Sequence, residues 1–75
     1  MFDRIVFADR VKEQRSKKDV SQTVVAQLLG VTKTQISDIE NAKTSTSLEK
    51  AVALADFFNV SLDYLVGRSD NPKRG

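Results

Sequence analysis

The segment 21-SQTVVAQLLGVTKTQISDIENAK-43 decides the fold. Ser21 can cap a short helix with Val25, Ala26 and Leu29 facing inward, and Gly30 stands where a helix C-terminus favours a residue free to adopt positive φ. Thr32 and Gln35 form a T-x-x-Q capping box, and Val31, just before the cap, is placed to pack on Ile36 as a hydrophobic staple. The second helix therefore starts at Thr32, and that start decides which side chains face outward. At roughly 100° per residue, Ile36, Ile39 and Glu40 share one face, while Thr34, Ser37, Asp38 and Asn41 form the opposite stripe, flanked by Lys33 and Gln35. Small Ala26 at the crossing point, Gly30 at the turn and Val31 as a plug predict a helix-turn-helix over residues 21–41.

Apolar periodicity places further helices on either side of this pair. Phe7, Val11 and the stem of Arg15 recur every four residues, predicting a helix from about Phe7 to Lys17 that Phe2, Ile5 and Val6 could extend toward the N-terminus. Asp19 turns the chain. AKTSTS has loop composition, and T-x-x-E at Thr46 and Glu49 offers a capping box to a fourth helix whose expected buried positions are Leu48, Ala51, Val52, Ala55 and Phe58. Asn59 ends that helix. Ser61 starts a last short one, with Leu62, Leu65 and Val66 inward and Asp63 in the first turn. No segment alternates with period two over enough residues to make a strand. The expected class is all-α, a compact five-helix bundle over residues 1–67, followed by a disordered basic tail at 68–75.

Composition narrows the chemistry. Seventy-five residues make one small domain that buries roughly 60% of the surface its unfolded chain exposes, so function is expected on a surface rather than in a deep cleft. The chain has no cysteine and no histidine, hence no disulfide, no ordinary zinc site and no imidazole base. Its carboxylates are scattered and no glycine loop could cradle a phosphate. No enzyme activity, metal, cofactor or small-molecule ligand is expected. Charges at Asp3, Arg4, Asp9 and Arg10 interrupt any signal-peptide core, and no apolar run could cross a bilayer, so the expected location is the cytoplasm. Twelve Lys and Arg against ten Asp and Glu is a mildly basic balance. Residues 10–19 and the tail carry its excess, which fits a solvated face as well as a nucleic-acid contact.

Together with RVKEQR at 10–15, SLEKAVALA at 47–55 and NVSLDYLVG at 59–67, the motif resembles the Cro/repressor-type (XRE-type, lambda-repressor-like) helix-turn-helix regulators of phages and bacteria. The likeness runs from about Phe7 to Gly67. It implies a sequence-specific regulator of transcription, expected to be a repressor, that binds double-stranded DNA with the motif's second helix in the major groove. On that resemblance the base-reading positions are Lys33, Thr34, Ser37 and Asp38. Lys33 can donate to guanine O6 or N7, and Thr34 can hydrogen-bond or set its methyl against thymine. Asp38 either accepts from cytosine N4 or is merely tolerated at the groove edge. Gln22 matches a glutamine that touches phosphate and can brace the first reading side chain, here Lys33, while Asn41 and Lys43 match positions that grip the sugar-phosphate backbone. Arg10, Lys17 and Lys18 could add charge nearby. A salt bridge between Arg15 and Glu40, joining the first and third helices, is implied as a structural element.

Three departures leave the loops open: Asp19 and Ala42 stand where the family commonly has glycine, and Thr46 where it often has proline. Phe57 and Tyr64 fall on outward faces of their helices, either as a dimer surface or partly covered by the tail or first helix. Pairing two modules on a palindromic site would supply affinity and specificity, so a homodimer on DNA is expected. The competing expectation is a protein-interaction module, antitoxin-like or an anti-repressor subunit, built on the same fold.

Overall fold

Every described helix begins at a side chain that takes over a free backbone N–H. The computed structural model describes residues 3–74. Its helices are α1 (Arg4–Lys17), α2 (Gln22–Leu29), α3 (Lys33–Glu40), α4 (Leu48–Phe58) and α5 (Leu62–Leu65), and no strand occurs among the described residues. Ser21, Thr32 and Ser61 cap α2, α3 and α5, each accepting a hydrogen bond from an N–H in the first turn. Asp3 caps α1 by accepting from the N–H groups of Ile5 and Val6. That helix thus starts at Arg4, three residues before the start predicted from Phe7, while Phe2 lies outside the described residues.

The fourth helix departs from expectation at its cap and its buried face. Ser47, not Thr46, accepts from the Lys50 N–H, so the T-x-x-E box does not form. Leu48 is 71% exposed and Val52 39%, whereas Leu54 is fully buried alongside Ala51, Ala55 and Phe58. The sequence LEKAVALADFF is apolar on most of its circumference, so periodicity does not select the packed face; contact with α1 and α5 does.

The core joins Phe7 and Val11 of α1, Val25 and Ala26 of α2, Ile36 and Ile39 of α3, the buried stripe of α4, and Val60 and Leu65, with Leu29 and Val31 packed at its edge. Turns complete the bundle. Gly30 ends α2 in the left-handed region at φ +68°, and a Cβ there would meet nothing within 4 Å, so the backbone angle alone favours glycine. Asp19, Ala42 and Asn59 adopt the same region at φ +54°, +59° and +57°. Asn tolerates that conformation; Ala gains nothing to offset it. Ala42→Gly is therefore expected to raise stability by about 0.5–1 kcal/mol, the left-handed strain relieved less the entropy glycine adds to the unfolded chain, measurable by urea denaturation.

Of the two readings of Tyr64, a dimer surface or cover by the tail or first helix, the structure shows cover: it is 7% exposed and not on a free surface. Its hydroxyl donates to Glu13 at 2.6 Å, and the Arg10 guanidinium lies 4.2 Å from its ring centroid. One turn of helix gives α5 no settled outer face, so α1 covers Tyr64 as well as Leu65. The bond from Tyr64, then the charge of Lys17, hold the Glu13 carboxyl below its ordinary range against the opposing effect of burial. A depressed carboxylate contributes stability that is present above its unfolded pKa and is lost as pH falls through the folded value. Tyr64→Phe is expected to move the Glu13 titration upward toward an ordinary glutamate, as read by carboxyl NMR shifts.

Residues 68–74 contain no helix or strand but return along the bundle. The Ser61 N–H donates to Pro72 O at 2.9 Å, the Arg68 N–H to Asp63 O at 2.7 Å, and Arg74 pairs with Asp56 at 2.7 Å.

Candidate nucleic-acid interface

The start of α3 is locked in both directions. The Gln35 N–H donates to Thr32 Oγ1 at 3.1 Å, and the Thr32 N–H donates to Gln35 Oε1 at 2.8 Å. Ile36 and Ile39 then go into the core, and rotation along the helix leaves Lys33 and Thr34 exposed, with Ser37 and Asp38 half-buried beside them. Neither Lys33 nor Lys43 has an acidic partner among the described residues, so both ammonium groups are available to an anion. Asp38 borders an open hollow of about 390 Å³ between α3 and the loop to α4, shared with Gln35, residues 44–47 and Lys50. Lys50 was not singled out in the sequence. Ser47 as the cap, in place of Thr46, would have put it in the first turn of α4, beside that loop.

Behind this face, Glu40 is 4% exposed and organises three helices. Its Oε2 accepts from Arg15 Nε at 2.7 Å and its Oε1 from Arg15 NH2 at 3.0 Å, a two-pronged pair from α1 to α3. Arg15 also donates to Val20 O, tying down the turn before α2. The same Glu40 oxygen accepts from Gln22 Nε2 at 3.1 Å. Gln22 therefore braces Glu40, seven residues along α3 from Lys33, and not Lys33 itself. The reason is tertiary: the start of α2 lies against the last turn of α3.

The remaining basic side chains separate. Arg10 does not stand free for a phosphate, because its guanidinium donates to the carbonyls of Tyr64 and Ser69, pairs with Asp70 and stacks on Tyr64. Lys17 is exposed and weakly paired with Glu13 at 3.8 Å, and Lys18 is exposed at the C-cap of α1. Asn41, at the C-cap of α3, donates from Nδ2 to Ser37 O at 2.9 Å and to Ser37 Oγ at 3.3 Å. Lys43 is anchored by its backbone N–H on Asp38 O at 2.9 Å, leaving its side chain exposed. Phe57 is 38% exposed and meets Phe58 edge-on at 5.2 Å.

The sequence model of the family described as Helix-turn-helix matches residues 11–65. The HTH-type transcriptional regulator AnsR of Bacillus subtilis is 40% identical over 60 residues, covering 80% of this chain and 52% of AnsR. The ImmF control region 10 kDa protein of Bacillus phage phi105 is 34% identical over 55 residues, covering 73% of this chain and 61% of that protein. The chain thus spans between about half and three fifths of the length of these curated relatives. Among solved structures, the P22 c2 repressor in complex with a synthetic operator superposes with a TM-score of 0.78 at 26% identity, over 85% of this chain and 97% of the repressor.

Proposed function

The chain belongs to the helix-turn-helix family, and on that premise we propose that it is a sequence-specific double-stranded DNA-binding regulator of transcription, acting as a repressor. One observation carries this reading: the capping box turns Lys33 and Thr34 to solvent at the leading end of α3, with no acid among the described residues paired to the lysine. A helix so presented enters the major groove N-terminal end first, and these side chains meet base edges there. Ser37 and Asp38 follow one turn later. Lys43 and, from the end of α1, Lys17 and Lys18 supply phosphate contacts that hold register without reading sequence. AnsR and the P22 c2 repressor, by their names a transcriptional regulator and an operator-bound repressor, support the assignment.

One short reading helix covers few base pairs, so the protein acts as a homodimer on a two-fold-symmetric operator, with Phe57 offered to the partner subunit. It works on cytoplasmic DNA. No described helix is long and apolar enough to cross a membrane.

A protein-interaction module is the second reading, favoured by Val24 and Leu28, each 45% exposed on the outer side of α2. Salt separates the two. Three lysines on each of two subunits displace about six counterions, giving a log–log slope of about −5 and a loss of about 10³-fold in affinity between 50 and 200 mM salt. Fluorescence anisotropy with a labelled duplex reads that slope. Binding to duplex DNA that is absent or indifferent to salt would favour the protein-interaction module.

A further inference from the structure

Ser37 and Asn41 stand one turn apart on the outward stripe of α3, and their contact fixes more than the helix end. We propose that Asn41 is a positioning residue that sets the polarity of the Ser37 hydroxyl, so that Ser37 donates to a base and selects against cytosine on the strand it faces. The inference rests on the reading of α3 as the base-reading helix and assigns the chemistry of one of its positions.

The orientation of the Asn41 amide follows from its partners. Ser37 O is a carbonyl and can only accept, so the Asn41 atom 2.9 Å from it is the amide nitrogen. The same nitrogen reaches Ser37 Oγ at 3.3 Å, which makes the hydroxyl oxygen an acceptor on that side and sends its proton elsewhere. No group among the described residues accepts that proton. Ile36 and Ile39 occupy the inner face of α3, so the proton's open direction is the outer side, where Lys33 and Thr34 also stand.

In the major groove the acceptors for such a proton are guanine N7 and O6, adenine N7 and thymine O4. Cytosine presents N4, a donor, which the second lone pair of the Ser37 hydroxyl can take only with the hydroxyl proton left without a partner at that base. Asn41→Asp reverses the arrangement: a carboxylate takes the Ser37 proton, the hydroxyl lone pairs turn outward, and the favoured edge becomes a donor, cytosine N4 or adenine N6.

The test is the base preference at each operator position, obtained by selecting duplexes from a randomised pool with the native protein and with Ser37→Ala, Asn41→Ala and Asn41→Asp. Ser37→Ala is expected to flatten one base pair in each half-site, and Asn41→Ala to weaken that same preference. Asn41→Asp should shift it toward cytosine or adenine by up to about tenfold. A purely structural cap, or a backbone grip, would lower affinity for all sequences equally. An unchanged pattern with Asn41→Asp, or with Ser37→Ala, overturns the inference while leaving the DNA-binding assignment intact. Failure of the native protein to enrich any site overturns both together.

Discussion

Glu40→Ala is expected to lower the unfolding free energy by about 3 kcal/mol, near the lower end of the range for breaking a buried ion pair. Glu40 is 4% exposed and accepts from three donors, two on Arg15 and one on Gln22, so its loss strands a guanidinium and an amide at the junction of α1, α2 and α3. The low end applies because the Arg15 side chain keeps 24% of its exposure and can recover part of its hydration. For a small domain with a margin on the order of 5 kcal/mol, that is most of the stability. Glu40→Gln keeps shape and an acceptor and should cost less. Urea denaturation measures both, and a change below about 1 kcal/mol for Glu40→Ala would place the pair among solvated surface bridges of little consequence. DNA binding by the folded fraction should keep its sequence preference, since Glu40 reaches no base.

Lys33→Ala combined with Thr34→Ala should produce the opposite dissociation. Both side chains are exposed at the first two positions of α3 and neither belongs to the core cluster, so stability should stay within about 0.5 kcal/mol of the native value. Affinity for the preferred operator should fall by about 1–3 kcal/mol for each base contact removed, while binding to random duplex, carried by the remaining lysines, declines far less. Anisotropy titrations against operator and scrambled duplexes at one salt concentration give the ratio. Equal losses on both duplexes would mean that these residues grip the backbone and read nothing.

The two variants divide the molecule into a proposed reading face and a support beneath it, and the two were unequally legible in the sequence. The motif could be read because its information is local: Ser21, Gly30 and the Thr32–Gln35 box act within a few residues, and they set the rotation of α3. The outward position of Lys33 and Thr34 follows directly. Asn41 with Ser37 is also a pair four residues apart, so that contact too is local information. What stayed hidden depends on partners far along the chain. Arg10 reads as a free cation until Tyr64 and Asp70 are brought to it, and Gln22 as a brace for Lys33 until α3 delivers Glu40. Tyr64 looked exposed because a one-turn helix has no reliable outer side. In α4 two adjacent cap-competent residues and an apolar surface on most sides left the local pattern without a preferred face, and tertiary contact chose Leu54 over Leu48 and Val52.

Selection of bound duplexes from a randomised pool at moderate salt, with the Lys33→Ala, Thr34→Ala double variant in parallel, separates base reading by α3 from non-specific binding. If α3 reads bases, the native protein enriches a two-fold-symmetric site and the variant loses that preference while still folding. Enrichment of nothing above random duplex by the native protein would contradict it, and would turn attention to a protein partner for Phe57, Val24 and Leu28.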